Sequence, residues 1–398
     1  MKVSGDVIMV TDLERELSEA IRDCKADRLF VLTDETTHQL CLPVVADVLS
    51  FIGDLQSPPR AHVITIPAGD TNKSLESVCH VWNELQRMGA TRHSLMVNLG
   101  GGMVTDLGGF AASTFKRGLA YINIPTTLLS MVDASVGGKT GFNFGGLKNE
   151  IGVFSIPRCV LLDTVFLRTL DHENILSGYA EMLKHGLISD DDTWAELLAF
   201  CPESLENLDN LENLENLESL ENLENLERLE RLENLEKLES LEKLAPLRHL
   251  QQMLSRSVRV KQRIVEEDPT EHGIRKALNL GHTIGHAFES LAMQRKPILH
   301  GYAVAYGLVC ELYLSVMKTG FPVEKMRQTV KFILENYGRM NITCDDYPTL
   351  LELMTHDKKN TAGNINFTLL GDVGDIRIDQ TETKEEIIEA LDFYRDGM

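Results

Sequence analysis

Residues 94–112 limit the possible folds more than any other stretch. Ser94-Leu95-Met96-Val97-Asn98-Leu99 is a nearly unbroken apolar run; Gly100-Gly101-Gly102 follows, and Leu107-Gly108-Gly109-Phe110-Ala111-Ala112 then reads as a helix of small residues. A strand apolar on both faces belongs inside a parallel sheet covered by helices. Two earlier runs repeat the plan. Arg28-Leu29-Phe30-Val31-Leu32-Thr33 ends in Asp34, and Ala61-His62-Val63-Ile64-Thr65-Ile66 passes through Pro67-Ala68-Gly69-Asp70 into an amphipathic helix near residues 74–88. Strands alternating with helices predict a parallel α/β layer.

The glycines between strand and helix also carry a chemical suggestion. Backbone N–H groups without side chains approach a phosphate closely, and the helix N-terminus behind them favours negative charge. The pattern is not G-x-G-x-x-G, because Thr105 occupies the third glycine position, and the candidate ribose-binding acid Asp34 precedes the glycines instead of following them. A tight turn without a ligand is the alternative. Downstream, Gly137-Gly138-Lys139-Thr140 invites a P-loop reading, but Asp133 stands where that motif needs its first glycine, which argues against an ATPase. Lys139, Lys148 and Arg117 read instead as loop cations at the mouth of the domain, placed to meet an anion.

From about Asp171 helical periodicity takes over. Glu181 sits in the apolar stretch Gly178-Tyr179-Ala180-Glu181-Met182-Leu183-Lys184, where an unpaired buried carboxylate would be costly and therefore calls for a cation. Leu278-Asn279-Leu280-Gly281-His282-Thr283-Ile284-Gly285-His286 puts two imidazoles on one helical face, and Leu299-His300 follows. One glutamate with two or three histidines suits a catalytic zinc site, with a salt-bridged structural cluster as the alternative.

Between these segments leucine recurs at every third position from Leu205 to Leu250. A three-residue step turns about 300° on a helix, so the leucines visit every face and form no stripe. The stretch 203–245 reads as a low-complexity Leu/Glu/Asn insertion, helical or partly disordered, that Pro246 would help to end. It holds ten of the chain's 21 net negative charges, so the acidity is local. The chain has no run of Lys and Arg that would favour nucleic acid and no apolar stretch long enough for a membrane span. Seven scattered cysteines, none spaced Cys-x-x-Cys, argue against a disulfide framework or thiolate zinc site. The opening residues lack a secretory pattern, so the expected address is cytoplasmic.

Gly100-Gly101-Gly102-x-x-x-Asp106, Ser135 to Gly141, Lys148-Asn149, Ala180-Glu181-x-x-Lys184 and Leu278 to Ala287 together resemble the 3-dehydroquinate synthase family over nearly the whole chain. The resemblance implies an NAD-binding α/β domain with a Rossmann-like parallel sheet (residues 1–170). It also implies an all-α metal- and substrate-binding domain (171–398) and a site in the cleft between them. It implies a divalent metal, usually zinc with cobalt an alternative, held by Glu181, His282 and His300, with His286 and Glu271 as proton-transfer residues. Sugar-phosphate contacts would be Arg117, Lys139, Asn149, Lys184, Lys261, Arg275, Asn279 and Lys358. NAD contacts would be Asp34, Asp70, Lys73, Gly101, Gly102, Asp106, Thr126, Thr127, Lys148 and Thr169, with Asp133 close by. A homodimer is expected. The family's pattern is departed from at Asp70 (usually Glu), Leu147 (commonly Gly) and Tyr302 (usually Glu). Alternatives are another sugar-phosphate cyclase such as 2-deoxy-scyllo-inosose synthase, a metal-dependent polyol or alcohol dehydrogenase, and an inactive scaffold.

Overall fold

The structure, a computed structural model, describes residues 5–51, 61–145, 147–205, 235–355 and 365–397. Its first half is a six-stranded sheet. The strands are β1 (Asp6–Met9), β2 (Leu29–Asp34), β3 (His62–Ile66), β4 (Leu95–Gly100), β5 (Ala120–Pro125) and β8 (Cys159–Leu162), in the order β1-β8-β5-β4-β2-β3. All neighbouring pairs are parallel. β2, β4 and β8 are buried along their whole length, as their unbroken apolar runs require. Helices α1 (Leu13–Cys24), α2 (Glu35–Leu40), α3 (Leu42–Phe51), α4 (Leu75–Arg87) and α5 (Gly102–Thr114) connect them. The expected amphipathic helix is α4, with the Ser74 hydroxyl accepting from Ser77 N at its start.

Strand order places the ligand crevice. From β2 the chain steps outward to β3, then returns to the other side of β2 as β4 and continues away through β5. The carboxyl ends of β2 and β4 therefore flank the point where the order reverses, where open parallel sheets hold ligands. Asp34 ends β2 and Gly100 ends β4, so the acid that precedes the glycines in sequence lies on the neighbouring strand.

Lys139 and Lys148, expected on loops, lie on an antiparallel hairpin, β6 (Lys139–Phe144) with β7 (Leu147–Phe154). Glycines made the segment look like a loop, but they serve close strand approach: a Cβ on Gly141 would come within 2.5 Å of Ile151 O. Phe142 seats the hairpin on α5 by an edge-on contact with Phe110 at 5.1 Å.

The second half comprises α6 (His172–Leu187), α7 (Asp191–Ala199), α8 (Leu235–Glu267), α9 (His282–Met293), α10 (His300–Thr319), α11 (Val323–Tyr337), α12 (Tyr347–Thr355) and α13 (Lys384–Asp396). It is not all-α, because β9 (Asn366–Asp372) and β10 (Asp375–Thr381) form an antiparallel hairpin against it. Pro246 does not end α8, which runs through it. Proline forfeits one backbone hydrogen bond, and burial of Leu247, Leu250, Met253 and Leu254 beyond it compensates. Most of the leucine-triplet segment, residues 206–234, lies outside the described residues, as does Lys358; nothing is described of the Leu147 side chain. Tyr302 packs edge-on against Tyr337 at 5.1 Å in an aromatic cluster.

Candidate active site

Two turns of α6 supply the centre of the site. Asp171 caps the helix by accepting from Asn174 N, and Glu181 and Lys184 follow in its buried body with 0% and 1% exposure. Gly178 lets α6 approach the segment after β5, since a Cβ there would meet Leu129 N at 2.5 Å. Glu181 Oε1 faces His282 Nε2 at 3.4 Å and His300 Nε2 at 3.5 Å, while Oε2 binds Lys184 Nζ. Burial alone would raise the Glu181 carboxyl, but Lys184 and then His282 outweigh it and hold it well below the usual carboxylate range.

His282 is the first residue of α9, and Gly281 before it adopts φ +79. That left-handed turn brings α9 against α10; a Cβ on Gly281 would lie 2.8 Å from Leu308 Cγ. The helix start is held by Glu311 on α10, which is fully buried and accepts from Gly281 N at 2.5 Å and Ile284 N at 3.2 Å. Its place on the next helix, thirty residues on, left no local sequence signal. The ring centroids of His282, His286 and His300 lie 5.3–5.9 Å apart, and one nitrogen from each falls within 4.8 Å of the others.

This donor set fits a divalent cation. Glu181 Oε1 is buried and accepts no hydrogen bond among the described residues, although two imidazole nitrogens point toward it. Burial would depress the His300 imidazole, but Glu289 and Glu181 push it up to about 10, so the pocket demands positive charge there. Neutral imidazoles with a carboxylate are borderline ligands suited to zinc or cobalt. Asp133, Glu181 and His185 form a second cluster, but Lys261 and Lys184 already neutralise it. His185 stays neutral, its imidazole lowered to about 3 chiefly by burial.

The cations gather beside this centre. Lys261 binds the Asp133 carbonyl at 2.5 Å and its carboxylate at 2.6 Å, and burial lowers its ammonium below the ordinary range. Asp133, placed close to the NAD contacts by the family resemblance, pairs with the buried Lys261 and lies 3.9 Å from Lys184. Arg275 is 1% exposed and donates to Pro269 O and Gly137 O, while its Nε has no partner among the described residues. Glu271, at φ +64, takes Lys139 on one oxygen and Asn279 Nδ2 at 3.0 Å on the other. Arg117 lies elsewhere, lining an open pocket of about 410 Å³ with Tyr121, Phe154, Ile156 and Arg158.

The nucleotide-side residues cluster at the ends of β2, β4 and β5. Asp34 caps α2 by accepting from Thr37 N at 2.7 Å. Lys73 donates to Asp106 at 2.6 Å and to the side-chain oxygen of Asn149 at 2.5 Å. Gly101 and Gly102 open α5; a Cβ on either would lie 3.1 Å from Thr127 Cγ2 or Ala134 Cβ respectively. Thr126 N donates to Gly100 O, and Thr127 bonds Ser130. Thr169 Oγ1 donates to Phe166 O and lies 3.9 Å from Cys41 Sγ. Lys148 reaches Asp70 at 3.1 Å and Glu289 at 2.5 Å.

Sequence reasoning missed Glu289. It stands seven residues after His282, on the face of α9 that also carries His286. A buried acid on an otherwise apolar helix was the available signal.

Comparison with known proteins decides the family. The 3-dehydroquinate synthase N-terminal model matches residues 63–177 and the 3-dehydroquinate synthase C-terminal model matches residues 218–360. The chain belongs to the 3-dehydroquinate synthase family. It is 50% identical to a 3-dehydroquinate synthase of Parabacteroides distasonis, over 98% of each chain. It is 34% identical to one from Pyrococcus furiosus, over 98% of this chain and 97% of that protein. Among solved structures, it resembles the 2-epi-5-epi-valiolone synthase of Streptomyces hygroscopicus, which has NAD+ and Zn2+ bound. The TM-score is 0.79 at 25% identity, covering 100% of this chain and 98% of that one. The fold is shared by 2-deoxy-scyllo-inosose synthase, with TM-score 0.75 and 21% identity over 98% and 96% of the two chains.

Proposed function

We propose that this chain is a metal- and NAD-dependent 3-dehydroquinate synthase, a phosphate-eliminating lyase that converts 3-deoxy-D-arabino-heptulosonate 7-phosphate to 3-dehydroquinate and phosphate. The observation that carries the reading is the Glu181 carboxylate facing His282 and His300 with Lys184 and Lys261 alongside. When bound, NAD would take and return a hydride at C5, and the metal would lower the cost of ionising the C4 and C5 hydroxyls. Lys184, Lys261 and Arg275 would hold the substrate's anionic groups, their burial excluding water and strengthening each contact. Lys139, Asn149, Asn279 and Lys358 would orient it, whereas Arg117 lines a separate pocket in this chain. His286 would move a proton near the departing phosphate, and Glu271 would serve the second transfer. Glu181, His282 and His300 would ligate the metal. Asp34, Asp70, Lys73, Gly101, Gly102, Asp106, Thr126, Thr127, Lys148 and Thr169 would meet NAD.

The decisive experiment supplies NAD+ and the heptulosonate phosphate and follows phosphate and NADH together. Phosphate release with no net NADH is the expected result; NADH formed in step with turnover would replace this reading with a dehydrogenase. A cyclase for another sugar phosphate would leave this substrate untouched. We also propose a division near residue 170, a cytoplasmic location and a homodimer. Exposed Val153, Phe154 and Ile156 on and beside β7 support an apolar contact with a second copy, checked by sedimentation.

A further inference from the structure

Glu289 is 3% exposed on α9, and its two oxygens face opposite parts of the molecule. Oε2 lies 3.3 Å from His300 Nδ1, and Oε1 lies 2.5 Å from Lys148 Nζ. Lys148 is on β7 of the nucleotide-side hairpin and also reaches Asp70, in the turn after β3, at 3.1 Å. Glu289 takes the Nδ1 side of the ring, which turns Nε2 toward Glu181 Oε1 and makes Nε2 the nitrogen that a cation held between them would meet. The charges Asp70, Lys148, Glu289, His300 and Glu181 thus form one chain of contacts from the nucleotide side to the metal-binding side. Moving Lys148 would change the charge that Glu289 presents to His300.

We propose that Glu289 is a positioning residue that orients His300 for the metal and, through Lys148, makes metal affinity and NAD affinity depend on each other. The inference rests on the reading of His300 as a metal ligand and Lys148 as a nucleotide contact. Coupling of two sites through one element is reciprocal, so each ligand tightens the other by the same factor. Outer partners of metal-bound histidines typically set affinity by about 10–100-fold.

The test measures zinc affinity of the full chain by chelator competition, with and without saturating NAD+, and the absorption spectrum of the cobalt-loaded protein. In the unaltered chain, NAD+ is expected to tighten zinc binding by about fivefold or more. Glu289→Gln, nearly equal in shape, is expected to weaken zinc by about 10–100-fold, alter the cobalt spectrum and abolish the NAD+ effect. Lys148→Met leaves the Glu289–His300 contact and is expected to abolish the NAD+ effect with a smaller loss of zinc affinity. Thermal unfolding establishes that each variant is folded. Zinc affinity within about threefold of the unaltered chain in folded Glu289→Gln, or an NAD+ effect surviving in both variants, overturns the proposal. Absence of tight zinc binding in the unaltered chain would instead overturn the metal reading itself.

Discussion

The glycine turn after β4 and the start of α9 are both helix N-termini at a ligand site, yet they are built differently. The first is mostly backbone: Gly100, Gly101 and Gly102 leave space, and of the nearby charges Lys73 pairs with Asp106 while Lys148 bridges Asp70 and Glu289 of α9. The second is mostly side chain. His282 opens the helix, His300 comes from α10, Glu181 from α6, and the fully buried Glu311 replaces solvent at the helix end. Backbone N–H groups bind an anion whatever surrounds them, whereas a cation centre needs several donors brought to one point from distant parts of the chain. The α9 side should therefore fail abruptly on single substitutions and the glycine side gradually.

The largest effect is expected at the cation centre. His282→Ala should lose bound zinc and about 10³-fold or more of kcat together. His286→Ala should keep its zinc while kcat falls about 10²-fold. Metal analysis beside steady-state kinetics separates the two, and equal loss of zinc in both variants would break the assignment of different roles. Gly281→Ala should come next, because it combines a left-handed backbone with a clash against Leu308; we expect about 2–3 kcal/mol of lost stability by urea unfolding. A change below about 0.5 kcal/mol would mean the turn is not held as described.

On the glycine side, Gly101→Ala forces Thr127 to yield only a few tenths of an ångström. NAD+ binding should weaken about tenfold, with zinc affinity measured without NAD+ unchanged. Loss of both would show that the two regions are not separately built. The smallest effect concerns Asp268, which accepts from His272 N, Gly273 N and Arg275 N and so shapes the loop bearing Glu271 and Arg275. Burial would raise its carboxyl, but those backbone donors hold it below the ordinary value. Its contribution is thus full above the unfolded carboxyl value, near about 3.9, and fades as pH falls through the lower folded value. Asp268→Asn should cost about 1 kcal/mol at pH 7, and the gap to the unaltered chain should close toward about pH 2 in acid unfolding curves. A gap independent of pH would remove the charge from the explanation.

Sequence by itself determined the parallel layer, because apolar runs such as Leu95–Gly100 can be buried only one way, and the nature of the ligands, because Gly-rich turns and His/Glu groupings carry their chemistry locally. The family motifs also carried the order of the site residues along the chain. It did not reveal the β6–β7 hairpin, whose glycines mimic a loop until two strands need to approach, or the β9–β10 pair in the helical half. Nor did it reveal Glu289 and Glu311. Their significance lies in which nitrogen each carboxylate meets, and those partners come from other segments of the chain. Tertiary structure alone decided that Asp34 stands beside the glycines, that Asp133 faces Lys261, and that two buried acids face His300. Local pattern specifies which side chains are present and which face they occupy, whereas the charge felt at a buried atom is a sum over neighbours that only folding assembles.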